Sequence, residues 1–175
     1  MEWHEEAIAR THNRKKFDCG SAELNEYLQK YARQNHQSGG AKTFVAVPES
    51  GSTQVLGYYS ISPAEVTFEN VPPELTRRLG RYPVPVFRLA RLAVDMPLQG
   101  QGLGGELLLS AGKRAVDVAV LAGGVALVID AKDSQAASWY QRFGAVELLD
   151  DPLRLFLPLE TVSRALEAGA QAHGR

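Results

Sequence analysis

Apolar residues fall at helical and strand spacings along most of the chain and divide it into short alternating elements. Leu24, Tyr27, Leu28 and Tyr31 lie at i, i+3, i+4 and i+7, which predicts a helix over 21–37 with one buried face. Ser21 is its expected N-cap, and Gly39-Gly40 end it. Lys42–Val47 and Gln54–Ser62 read as strands joined by the turn-rich Pro48-Glu49-Ser50-Gly51-Ser52. Residues 63–85 hold five of the nine prolines and predict an irregular excursion with a short helix near Pro73–Leu79. Val86–Val94 is the next strand, and a long helix follows from about Gly102 to Val120. Its stripe is Leu103, Leu107, Leu108, Ala111, Ala115 and Val118. Val125–Asp130 reads as a buried strand. A helix follows from Ser134, its expected cap, to Phe143, with Trp139 and Phe143 facing the core. Leu153, Leu155 and Leu157 mark a last strand, and a weak helix begins near Glu160.

This order predicts the α/β class (an α+β mixed sheet). The early hairpin is antiparallel, a strand–helix–strand unit favours parallel pairing, and helices cover both faces. No repeat or linker interrupts the pattern, so residues 1–175 are expected to form one domain.

Composition narrows the possibilities. Apolar residues are 45% of the chain and charged residues 22%, which excludes a disordered polymer. The net charge is -1, so a uniformly basic surface is excluded and only local basic patches remain. The single cysteine, Cys19, excludes an internal disulfide or a cysteine metal cluster, and no metal site is expected. Met1 to Lys16 has no apolar signal core, and no run approaches the ~20 apolar residues of a membrane span. The expected location is the cytoplasm.

Chemistry concentrates in residues 88–104, Arg-Leu-Ala-Arg-Leu-Ala-Val-Asp-Met-Pro-Leu-Gln-Gly-Gln-Gly-Leu-Gly, where a strand, a glycine-rich turn and a helix start follow one another. The first turn of a helix presents free N–H groups and a partial positive charge, which suits diphosphate. Gly100, Gly102 and Gly104 lack a Cβ and let backbone approach a ligand. A P-loop would need Lys and Ser or Thr after the last glycine, where Gly105 and Glu106 stand. The dinucleotide spacing G-x-G-x-x-G is met formally. However, the turn follows a late strand, and position 124, where an acid is expected, is glycine.

Gln99-x-x-Gly102-x-Gly104 resembles the acetyl-CoA pyrophosphate loop of the GNAT acetyltransferase superfamily, and Leu92-Ala93-Val94 resembles its splayed cofactor strand. The resemblance implies a GNAT-like fold, with a mostly antiparallel mixed sheet, and acetyl-CoA as cosubstrate. Backbone of Leu92, Ala93 and Val94 would hold pantetheine. Gln99, Gly100, Gln101, Gly102, Leu103, Gly104 and Gly105 would hold the pyrophosphate, and the Leu92 amide would serve as oxyanion donor. Ser134 to Gly144 resembles the family segment whose tyrosine lies near the coenzyme sulfur. That implies Tyr140 as the acid that protonates the leaving thiolate, beside its alternative reading as a core aromatic.

Phe17-Asp-Cys-Gly20, Leu24-Asn-Glu-Tyr-Leu28, Thr43–Val47, Gly57–Ile61 and Pro85 with Arg88–Asp95 resemble a branch of this family, the acetyltransferase toxins of bacterial toxin–antitoxin pairs. The branch implies acetylation of the α-amine of aminoacyl-tRNA, translation arrest, and a ribbon-helix-helix antitoxin as partner; a homodimer stays open. An α-amine of pKa ~7.7–8.0 is partly neutral at cytoplasmic pH and needs little help from a base. Glu65, just past the hairpin strand, is the best candidate base, beside its alternative reading as a solvated loop acid. His4, His12, His36 and His173 are expected at the surface. Arg77, Arg78 and Arg81 form a candidate RNA patch, and Arg10, Arg14, Lys15 and Lys16 a second. The pI of ≈ 6.4 departs from that of a basic RNA binder. It keeps open an enzyme acting on a small amine or a protein amino group, and a non-catalytic CoA-binding regulator.

Overall fold

The computed structural model describes residues 1–174. Seven strands are hydrogen-bonded in the order β1-β2-β3-β4-β5-β7-β6. They are β1 His4–Ala7, β2 Lys42–Val47, β3 Gly57–Val66, β4 Val84–Val94, β5 Ala126–Asp130, β6 Val146–Leu148 and β7 Asp151–Pro158. The helices are α1 Ala22–Glu26, α2 Ala32–Ser38, α3 Leu103–Ala122, α4 Ser134–Gln141 and α5 Leu159–His173. β1-β2, β2-β3, β5-β7 and β6-β7 are antiparallel, and β4-β5 is the parallel pair. The sheet is therefore mixed and mostly antiparallel, as the order of elements predicts. Among the described residues, no helix is long and apolar enough to cross a membrane.

Contacts divide the chain into two compact units. The first comprises Met1–Ser62 and Arg91–Leu108. Its core joins Phe17, Tyr27, Leu28, Val45, Val47, Tyr58 and Ala93, with Cys19 and Leu24 packed at the margin. The opposite face of β3 meets α3. A side chain on Gly57 would press on Leu107 at 2.8 Å and on the Ala93 carbonyl at 2.9 Å, so glycine lets helix and strand close up. The second unit comprises Pro63–Ala90 and the chain from Leu109 on. Val66, Val71, Val84, Val86, Val128 and Phe156 form a core there, over which Phe68, Leu75 and Leu79 of the excursion pack.

Several elements differ from expectation for physical reasons. The helix over 21–37 keeps its cap, since Ser21 accepts the Leu24 amide, but it is interrupted by a π-helical turn at Tyr27–Tyr31. There Ala32 N–H bonds the carbonyl five residues back, on Tyr27. The inserted residue rotates Tyr31 off the apolar face; it is 51% exposed, while Tyr27 and Leu28 are buried. The stripe of α3 is buried through Ala115, whereas Val118, in the penultimate turn, is exposed. Asp133 caps α4 in place of Ser134 by accepting the Ala136 amide, and Phe143 lies past the helix end, exposed. The excursion holds two 3-10 turns, Phe68–Asn70 and Pro73–Leu75. β1 is an edge strand of polar residues without the apolar alternation that marks a strand.

Candidate active site

The end of β4 runs into a turn that is pinned to the segment 18–20 of the same unit. Asp95 N–H donates to the Leu56 carbonyl, Asp95 Oδ1 accepts the Asp18 amide, and Met96 N–H donates to the Asp18 carbonyl. Gln99 closes the arrangement. Its Nε2 donates to the carbonyls of Cys19 and Val94, both at 2.9 Å. The side chain thus joins the last residue of β4 to the start of the glycine turn. Gln101 Nε2 reaches back to the Pro97 carbonyl at 3.1 Å.

Gly100 and Gly102 take φ of +77° and +94°, left-handed values that other residues adopt at a cost. A Cβ on either would meet no protein atom within 4 Å. The left-handed backbone conformation calls for these glycines, not packing. The first internal hydrogen bond of α3 runs from Glu106 N–H to the Gly102 carbonyl. The amides of Leu103, Gly104 and Gly105 precede it and have no acceptor within the helix. Three N–H groups, the positive end of a 20-residue helix and a turn without side chains form an anion cradle. Leu92, Ala93 and Val94 are the last residues of β4, and Ala93 and Val94 are buried.

Tyr140 belongs to the second unit, near the end of α4. It is 6% exposed, and Trp139 packs edge-on against its ring at 4.9 Å between centroids. Burial pushes its phenol above the ordinary tyrosine range. No hydrogen bond engages its hydroxyl among the described residues. Asp130, at the end of the neighbouring β5, accepts Arg88 Nε at 2.6 Å and so ties β5 to the parallel strand β4.

The remaining candidates divide. Glu65 is exposed and lines a cleft of about 260 Å³ with Thr67, Glu69, Arg81 and Tyr82. Arg77 and Arg78 are exposed too. The segment also carries Glu65, Glu69 and Glu74, which balance its three arginines. His12 is not at the surface: it is 4% exposed, its Nε2 lies 2.9 Å from Glu6, and its Nδ1 accepts the Ala9 amide. His36 accepts the Thr43 amide, while His4 and His173 are exposed. Arg14 leaves the second basic group; it is half-buried and donates to the Gln29 carbonyl inside the π turn. Among the described residues, no group of three or more His, Cys, Asp or Glu could hold a metal ion. Asp18 and Asp95, which pin the turn, carry no local sequence signal of that contact, which spans 77 residues.

A strand end pinned to a glycine turn, with helix amides open beside it, is an arrangement able to accept an anionic group such as a diphosphate. The chain belongs to the acetyltransferase (GNAT) family, whose profile matches residues 5–145. It is 36% identical over 150 residues to a tRNA-acetylating toxin of Mycobacterium tuberculosis (strain ATCC 25618 / H37Rv), covering 86% of this chain and 87% of the relative. Its fold is that of AtaT complexed with acetyl-methionyl-tRNAfMet, at a TM-score of 0.86 and 24% identity, over 94% of this chain and 99% of that one. An AtaT variant bound to the C-terminus of the antitoxin AtaR and acetyl-CoA matches with a TM-score of 0.79 and 23% identity, over 94% and 98%.

Proposed function

We propose that this chain transfers acetyl from acetyl-CoA to the α-amine of aminoacyl-tRNA, and that it acts in the cytoplasm as a translation-blocking toxin restrained by an antitoxin. The observation that carries the reading is the pinned turn at 95–102 with open amides at 103–105, in a chain 36% identical to a tRNA-acetylating toxin. The residues present fit the coenzyme: a diphosphate meets N–H donors and no side chain at Gly100 and Gly102. Residues 1–175 act as one acetyltransferase domain.

Acetyl-CoA supplies the activated acetyl thioester. Backbone of Leu92–Val94 holds the pantetheine arm, and the Leu92 amide donates to the carbonyl oxygen as it gains charge. The amides at the start of α3 bind the pyrophosphate, while Gln99, whose amide hydrogens are committed to Cys19 and Val94, keeps the turn in shape. Tyr140 Oη holds a proton for the departing sulfur. Its buried phenol stays protonated at neutral pH, and among the described residues no protein acceptor competes for that proton. The α-amine, with a pKa of ~7.7–8.0, is partly neutral at neutral pH and attacks in that form. No buried carboxylate or histidine is required as a base, in keeping with an exposed Glu65 and a His12 engaged by Glu6.

The test is mass spectrometry of aminoacyl-tRNA after incubation with the protein and acetyl-CoA. The expected product is α-N-acetyl-aminoacyl-tRNA. Turnover of a small amine with no acetylated aminoacyl species for any amino acid would replace the toxin reading with a small-amine acetyltransferase.

A further inference from the structure

Arg91 stands one residue before Leu92 on β4, in a setting that packing alone does not account for. Its guanidinium lies 3.6 Å from the centroid of the Tyr27 ring. The side chain is half-buried, yet no ion pair or hydrogen bond engages its N–H groups among the described residues. A guanidinium withdrawn from water normally gains a carboxylate. Here the aromatic face takes that place: it stabilises the charge and fixes the plane, while the five donors around the edge stay available.

The surroundings hold that face still. Tyr27 begins the π-helical turn, and its hydroxyl accepts Asn35 Nδ2 at 3.3 Å. Its ring also stacks on Tyr58, with 6.5 Å between centroids, and the Tyr58 hydroxyl donates to the Leu24 carbonyl at 2.7 Å. π turns recur at functional sites because they reposition side chains.

Arg91 also lies on the face of the sheet away from α3. Side chains alternate along a strand, so Arg91 shares a face with Ala93, whose cluster contains Tyr27 and Tyr58. Leu103 and Leu107 of α3 pack on the other face, over Gly57. The guanidinium is therefore not a further donor to the diphosphate cradle at the start of α3. It is aimed at whatever approaches the end of β4 from the face of α1 and the π turn.

We infer that Arg91 is a specificity residue that binds a backbone phosphate of the RNA acceptor and seats the aminoacyl end at the Leu92 strand. Planar bidentate donors suit a phosphate, and an acceptor of this class brings phosphates next to its reacting amine. The inference rests on the aminoacyl-tRNA reading and adds the residue that separates RNA from a free amine.

The experiment compares wild-type protein with Arg91→Gln and Arg91→Lys. It uses aminoacyl-tRNA and, in parallel, an amino-acid ester that carries the same α-amine without phosphate. Arg91→Gln is expected to raise KM for aminoacyl-tRNA about tenfold. It should reduce the slope of log affinity against log salt by roughly one phosphate contact, ~0.7–0.9. Acetyl-CoA affinity and kcat/KM for the ester stay at wild-type values. Arg91→Lys keeps the salt slope but loses the bidentate geometry, with an intermediate KM. If Arg91→Gln misfolds, Tyr27→Leu, which removes the stacking face and no charge, should give the same RNA-selective rise in KM. Unchanged KM and salt slope in Arg91→Gln, or equal losses on ester and RNA, would overturn the inference and leave Arg91 a structural partner of Tyr27. A wild-type protein that acetylates the ester and no aminoacyl-tRNA overturns the toxin reading and this inference together.

Discussion

The turn at 95–102 and the excursion at 67–83 both interrupt regular structure, and they are held in opposite ways. The turn is fastened by long-range hydrogen bonds to Asp18, Cys19 and Leu56 and by a local one to Val94, and what it offers is backbone. The excursion is anchored chiefly by apolar contacts of Phe68, Leu75 and Leu79, with one long-range hydrogen bond from Leu149 N–H to the Asn70 carbonyl; it otherwise bonds itself locally (Asn70 to Thr67, Leu79 to Thr76) and offers charged side chains. Recognition by backbone depends on preorganisation, so one misplaced amide costs much. Recognition by exposed charge is additive and screened, so each residue counts for little.

The largest effect is expected at Gly102. Gly102→Val places a β-branched residue at φ +94° and a side chain in the open space beside the start of α3. Strain of ~1–2 kcal/mol and the loss of a charged hydrogen bond, ~1.5–3 kcal/mol, should together raise the acetyl-CoA dissociation constant several hundredfold. Calorimetric titration reads the effect, and circular dichroism should show the fold retained. Affinity within threefold of wild type would show that the cradle does not bind the coenzyme.

Tyr140→Phe comes next. Removing one hydroxyl keeps the packing against Trp139 and should lower kcat by ~100-fold, about 2.7 kcal/mol, with acetyl-CoA affinity unchanged. The pH profile sharpens the test. Burial raises the phenol above its ordinary range, so the acid form persists as pH rises through ~10 and is lost only beyond it. The wild-type kcat should therefore show no falling alkaline limb between pH 7 and 9.5. A fall in that window would assign the proton donor to another group.

The same contrast explains what was legible in the sequence. Gly100 and Gly102 could be read because positive φ leaves a residue-type signature, and Lys42–Val47 because β-branched residues declare a strand. The hydrogen bonds that give the turn its shape could not be read, since Asp18 and Asp95 meet only once the chain has folded. Tyr31 was misplaced because a π turn advances the helical phase by one residue without any marker in composition. His12 was misplaced because its burial is made by Glu6, on an edge strand that hydrophobic periodicity cannot detect. Arg91 carries no local signal of its contact with Tyr27, since the two meet only once the chain has folded.

Gln99→Ala tests the fastening itself. It removes both bonds to Cys19 and Val94 and no ligand-facing amide. Two neutral hydrogen bonds at ~0.5–1.5 kcal/mol each set an upper range, and a loosened turn recovers part of its shape on binding. Acetyl-CoA affinity should fall about tenfold. If stopped-flow binding shows the loss in the off-rate, the turn is preorganised; a loss confined to the on-rate would mean that it orders only after encounter.

The smallest effect is expected in the excursion. Arg77, Arg78 and Arg81 are exposed, with Glu69 and Glu74 in the same segment and Glu65 beside it at the end of β3, so the local field is weak. Replacing all three arginines by glutamine should weaken tRNA binding only about fivefold at physiological salt, because few released counterions are at stake. The slope of log affinity against log salt should shrink by less than the ~2–3 expected if every arginine met a phosphate. Acetyl-CoA affinity should not move. Filter binding over a salt series reads both quantities. A loss of a hundredfold with a slope change near 3 would make the excursion a principal RNA surface and erase the contrast drawn with the glycine turn. No change at any salt would make these arginines solvated surface, and Arg91 would then carry the phosphate contact without help from this segment.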